Sequence, residues 1–229
     1  MGGLGLTFAE PLCSASTNKE NSVKLYTFDP APNPRRVSLM LKHKGIDIDS
    51  EQVDLMKGEQ MSGEYSKINP LCTVPALQLD NGDTLCDAIA ISLYIDDQFP
   101  EKSVFGANAL ERAKIVAWCQ RLYVDGLAAV AEVLRNTNPA FKDRALPGPV
   151  AVPQIAELEE RGNLRITAFY QTMEKELQNR QYLVGESLSQ ADIDLYAVLG
   201  FCNWVKRDIP EDCPVLRAWF DTMKQHFGE

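Results

Sequence analysis

Apolar positions change their spacing partway along the chain, and the change divides it in two. From Val23 to Phe28 they alternate, with Val23, Leu25 and Thr27 on one face and Lys24, Tyr26 and Phe28 on the other, the period of a short strand. After Asp29-Pro30-Ala31-Pro32, Asn33 is placed to act as N-cap and Pro34 as first helical residue. Val37, Met40, Leu41 and Lys44 then follow helical spacing, and Gly45 can take the left-handed conformation that ends a helix. A second strand is expected over Ile48 to Leu55, and Ser62 offers an N-cap for a short helix through Ile68. Ala76 to Leu79 and Thr84 to Cys86 read as strands joined by Asn81-Gly82, a hairpin pair whose two turn positions need positive φ. Asp87 can cap a last helix, Ala88 to Phe99, so this half reads βαβαββα.

From Leu110 onward the strand period is gone. Leu110 to about Arg135 is periodic as one long helix, and Pro139, Pro147, Pro149 and Pro153 break the chain after it. A second long helix is expected from about Gln154 to Asn179. Ser189 stands three residues before Asp192, a capping-box spacing that starts a helix over Ala191 to Trp204, and the last helix covers Val215 to Phe227. Phe105-Gly106-Ala107-Asn108 separates the halves. The expected class is α/β plus all-α: a leader over 1–22, a mixed domain over 23–102 and an all-helical domain over 107–229.

Composition removes several function classes. The 229 residues, 45% hydrophobic, can fill a core, and a formal net charge of -9 disfavours a sequence-independent grip on nucleic acid. No stretch approaches the roughly 20 apolar residues that span a bilayer, so no membrane partner is expected. Residues 1–22 lack the basic start and apolar run of a secretory signal and the arginines of a transit peptide, and read as a flexible leader or an added remnant. The 6 cysteines are scattered, without zinc-site spacing or disulfide density, so a reducing, cytoplasmic setting with no metal is expected. Cys119 and Cys202 fall in apolar helical runs and read as small buried hydrophobes.

Chemistry concentrates in Asn69-Pro70-Leu71-Cys72-Thr73-Val74-Pro75-Ala76-Leu77 and in Asp87-Ala88-Ile89-Ala90-Ile91. The Val74-Pro75 bond, just before a strand, is a candidate for cis, which turns the Val74 backbone outward where a peptide can dock as an extra strand. Asp87 can cap its helix or face a ligand cation. With Pro34-Arg35-Arg36-Val37 ahead and Gly185-Glu186-Ser187-Leu188-Ser189-Gln190-Ala191-Asp192-Ile193 behind, the ordered set resembles the cytosolic glutathione transferase superfamily over Val23 to Phe227.

The resemblance implies a thioredoxin-like domain that holds glutathione and an all-helical domain that completes the pocket for a small hydrophobic electrophile. Glutathione would be co-substrate with no further cofactor, and the chain a homodimer. Cys72, Thr73, Val74 and Pro75 would meet the cysteinyl part of glutathione. Asp87 and the amides of Ala88 and Ile89 would meet the γ-glutamyl part, although Ala88 stands where the family usually has a Ser. Lys57 and Gln60 are the nearest candidates for the glycyl carboxylate.

The family's usual Ser, Tyr or Cys at the sulfur is replaced by Ala31. The chain thereby resembles an atypical fungal and bacterial branch that uses polar residues of the second domain's first helix, here Asn136 and Asn138. Amides at the start of the first helix, around Asn33, Arg35 and Arg36, would stabilise the thiolate. Conjugation of the glutathione thiolate to electrophiles is the activity expected. A non-catalytic glutathione-binding or interaction protein and a thiol-disulfide oxidoreductase using Cys72 are the alternatives.

Overall fold

The computed structural model describes residues 23–229; residues 1–22, with the expected leader and Cys13, lie outside the described residues. Strand β1 (Lys24–Thr27) leads into helix α1 (Pro32–Lys44), strand β2 (Ser50–Gln52) and a short helix α2 (Tyr65–Ile68). The hairpin β3 (Ala76–Gln78) and β4 (Thr84–Cys86) and helix α3 (Ala88–Gln98) complete the expected βαβαββα series. The sheet runs β2-β1-β3-β4, with β1 parallel to β2 and the other two pairings antiparallel. This is the thioredoxin-like arrangement. Strand β1 is interior, paired along both edges, and both of its faces are covered as well. Leu25 joins the main core, while Tyr26 packs with Val53, Tyr65, Val74 and Ala76 on the opposite side.

Three local expectations need correction. Helix α1 starts two residues early, with Ala31 as N-cap and Pro32 in the first turn. Two prolines fit there because first-turn N–H groups have no helical acceptor to lose. The hairpin is closed by the Gly82 N–H donating to the Leu79 carbonyl at 2.9 Å, and of Asn81 and Gly82 only Gly82 has positive φ, 88°. The connection is therefore a three-residue loop with a left-handed glycine, not a two-residue turn. Strand β2 is an exposed three-residue edge, shorter than the Ile48–Leu55 run, because its ladder with β1 covers only Ser50 to Gln52.

The helical half begins with α4 (Ala109–Arg121), a π-helical turn (Leu122–Leu127) and α5 (Ala128–Thr137), one continuous run as the periodicity predicts. Helix α6 (Leu158–Glu176) starts later than Gln154, whose side chain instead donates to the carbonyls of Arg135 (2.7 Å) and Asn138 (2.9 Å). Helices α7 (Gln190–Cys202) and α8 (Pro214–His226) follow. The Ser189–Asp192 capping box is formed, and α7 is buried along nearly its whole length, the environment an all-apolar helix requires. Cys119 and Cys202 are buried within the core, and burial pushes the Cys202 thiol up to about 11.

One continuous core joins the halves, from Leu25 and Val37 through Val198 to Phe227. Inside that seam Arg36 grips Asp194 with Nε at 2.8 Å and Nη2 at 2.6 Å, and Gln190 Nε2 donates to the same carboxylate at 2.9 Å. Among the described residues no helix is long and apolar enough to cross a membrane.

Candidate functional site

A cavity of about 530 Å³ opens between the sheet half and the helical half. Phe28, Ala31, Asn33, Cys72 and Val74 form one wall, and Tyr123, Leu127, Phe141, Phe201 and Trp204 stand on the other.

The Val74-Pro75 peptide is cis, as the sequence predicts. The loop before it is held from behind: the Thr73 carbonyl accepts from Tyr65 Oη at 2.6 Å and from Asn69 Nδ2 at 2.7 Å. Burial holds the Tyr65 phenol well above its ordinary range, so it remains a donor. Val74 itself lines the cavity, and among the described residues its backbone N–H and C=O have no partner. An unpaired backbone edge in a cavity is a template for an extended peptide.

At the start of α1 the donors are fewer than expected. The Ala31 N–H donates to Phe28 and the Arg35 N–H to Ala31, while Pro32 and Pro34 have none to give. Asn33 alone retains a free backbone N–H in this turn among the described residues. The two guanidinium groups are also engaged elsewhere. Arg35 lies outside the cavity wall, paired with the Glu229 carboxylate and 5.7 Å above the Tyr196 ring. Burial opposes the charge of Arg36, but the Asp194 carboxylate outweighs it and holds the guanidinium above its ordinary value. Arg36 Nη1 also donates to Asn33 Oδ1 at 2.8 Å, which fixes the Asn33 carboxamide by its oxygen and leaves its amide hydrogens available.

The remaining predicted residues divide. Gln60, Cys72, Thr73, Asn136 and Asn138 line the cavity; Lys57, Pro75, Asp87 and Ala88 do not. Gln60 is buried with its Oε1 unpartnered among the described residues, whereas Lys57 is exposed and pairs with Asp54 at 3.1 Å. Asp87 caps α3, accepting the Ile89 N–H at 2.9 Å. Asn136 uses both ends of its carboxamide internally, donating to the Glu132 carbonyl (2.7 Å) and accepting from the Ile155 N–H (2.9 Å). Asn138 accepts from the Ala140 N–H at 3.0 Å and caps the turn after α5.

Sequence reading missed the supports and part of the wall. The Asn69 and Tyr65 clamp could have been suspected from Asn69-Pro70 in the loop motif. Asp194, a carboxylate set between Ile193 and Leu195 in an apolar run, was a visible signal for a buried partner. Arg144 on the helical wall carried no motif, and Arg135 was passed over beside Asn136 in the stretch that resembles the atypical branch.

Comparison with known proteins matches the same two halves. Residues 31–98 match the family model for the glutathione S-transferase N-terminal domain, and residues 149–226 that for the C-terminal domain. The curated glutathione S-transferase 2 of Saccharomyces cerevisiae is 30% identical over 204 residues, spanning 88% of this chain and 85% of that protein. The crystal structure of Gtt2 from Saccharomyces cerevisiae superposes with a TM-score of 0.80 at 30% identity, covering 88% of this chain and 96% of that one. A glutathione S-transferase domain-containing protein from Marinobacter aquaeolei gives a TM-score of 0.80 at 29% identity, covering 88% and 97%.

Proposed function

The chain belongs to the glutathione S-transferase family, and from that premise we propose how its cavity joins glutathione to an electrophilic carbon. The enzyme is a glutathione transferase. In a displacement the thiol loses its proton to solvent, sulfur forms a bond to carbon, and the leaving group departs with the pair of the broken bond. The observation that carries the assignment of roles is the placement of the unpaired Val74 backbone and the free Asn33 N–H on one wall of a cavity whose other wall is largely apolar.

Glutathione is a co-substrate, and its cysteinyl backbone pairs with Val74. Its γ-glutamyl group reaches toward Asp87 and the start of α3. Gln60, on the cavity wall where exposed Lys57 is not, is the residue placed to meet the glycyl end. Sulfur sits at the N-terminus of α1, where the Asn33 N–H, its side-chain amide and the helix dipole favour the thiolate. The work is done in the cytoplasm.

Absorbance of the bound thiolate against pH tests this arrangement. The bound thiol is expected to titrate about one unit below the ~8.5 of a free thiol, and Asn33→Ala to recover part of that shift. A bound thiol that titrates as in free solution removes the assigned role of the helix start.

A further inference from the structure

The charged residues on the cavity wall are Glu132, Arg135, Arg144 and Arg161. Glu132 is committed: it pairs with Arg161 and, at 2.9 Å, with Arg165. Arg135 and Arg144 are left without a counter-charge, and among the described residues neither has a carboxylate within ion-pairing distance. Both are half-buried.

The Arg135 side chain and the Arg144 backbone are both held in place. Arg135 stacks 4.7 Å from the Phe141 ring, and its Nη1 donates to the Arg144 carbonyl at 2.6 Å. The Arg144 loop is tied back by the Ala145 N–H donating to Val152 at 3.0 Å. Burial first, and then the neighbouring Arg144, pull the Arg135 guanidinium down to about 10, the direction expected of a cation with no anion beside it. It is still charged at neutral pH. In a chain of formal net charge -9, an uncompensated positive pair inside a cavity calls for an anion from outside.

We propose that Arg135 and Arg144 form an anion subsite for the second substrate, so that this transferase favours electrophiles carrying a carboxylate on an apolar body. The inference rests on the transferase reading and names the substrate class of that site. Guanidinium groups suit carboxylates by charge and by paired N–H donors, and Leu134, Phe141 and Leu146 on the same wall suit the apolar remainder.

A matched pair of aryl halides, chlorodinitrobenzene and its ring-carboxylated analogue chlorodinitrobenzoate, tests it. In both, sulfur bonds to the ring carbon and chloride leaves with the electron pair. Values of kcat/KM, each divided by the uncatalysed rate, give a preference ratio for the anionic probe. Arg144→Gln and Arg135→Gln are expected to lower that ratio at least about tenfold, and Arg144→Lys to restore part of it. A ratio unchanged in both glutamine variants overturns the proposal. So does a higher KM for glutathione with both probes, which would put these cations on glutathione's own carboxylates. If the wild type turns over neither probe, the transferase reading fails instead, and calorimetry with the two glutathione conjugates still decides the subsite. A carboxylated conjugate that binds no tighter than the neutral one, or that loses nothing in Arg144→Gln, refutes it.

Discussion

Asp87 faces two demands at one carboxylate. One oxygen already accepts the Ile89 N–H at 2.9 Å, and the residue holds a φ of 87° to do so. The other oxygen can meet the γ-glutamyl ammonium. Replacement by Ala removes both functions and costs about 1 kcal/mol of helix cap. Replacement by Asn keeps a capping oxygen and removes only the charge. If the charge counts, Asp87→Asn lowers glutathione affinity at least about tenfold with little change in melting temperature. An unchanged Kd in calorimetry makes Asp87 a cap and nothing more. Ala31 presents the complementary case, an N-cap position with no capping side chain. In Ala31→Ser the new oxygen accepts the Asn33 N–H, since Pro34 has none, while its hydroxyl proton goes to sulfur. The thiolate exchanges one donor for another, so turnover should change less than about threefold while the melting temperature rises by about 2–4 °C.

Among the elements, the π-helical turn of Leu122–Leu127 shapes the helical wall. It widens the run between α4 and α5 by one residue and delivers Tyr123 and Leu127 to the cavity. Its Gly126 is a close-approach position: a Cβ there would lie 2.7 Å from Val198 Cγ1 and 2.9 Å from Phe169 Cζ. Gly126→Ala must therefore push α7 and α6 away, at roughly 1–3 kcal/mol. Thermal melts should register that loss. Kinetics should show KM rising more for the electrophile than for glutathione, because α7 carries Phe201 onto the wall opposite Val74 and moves with Val198. An unaltered melt would mean the turn has room that the packing denies.

At the scale of the molecule, the Arg36–Asp194 pair ties the sheet-side wall of the cavity to the helical half. Both side chains are almost wholly buried, and Arg36 in turn holds Asn33. Asp194→Ala strands a buried cation and is expected to cost about 3–5 kcal/mol in urea unfolding, whereas Arg36→Met combined with Asp194→Leu should recover much of it. A double variant as unstable as the single one would mean that packing, not charge, is what the pair supplies. We also propose a homodimer, the assembly implied by family membership. Light scattering at micromolar concentration should give twice the 25.5 kDa of one chain, and a mass of one chain rejects it.

The sequence by itself determined what depends on near neighbours. Strand and helix order, the Ser189–Asp192 box and the cis Val74-Pro75 bond are local, set by periodicity, capping chemistry and proline. Helix α1 began at Pro32 rather than Pro34 because either proline satisfies the local rules, and the chain entering from β1 selects one. The site's supports were decided only in three dimensions. Arg35 and Arg36 are adjacent in sequence, yet one ends on Glu229 and the other on Asp194, partners far along the chain that no spacing rule connects. Arg135 and Arg144 likewise acquire meaning only once Glu132 has been taken by Arg161 and Arg165, because a charge is free or spent according to what folds beside it.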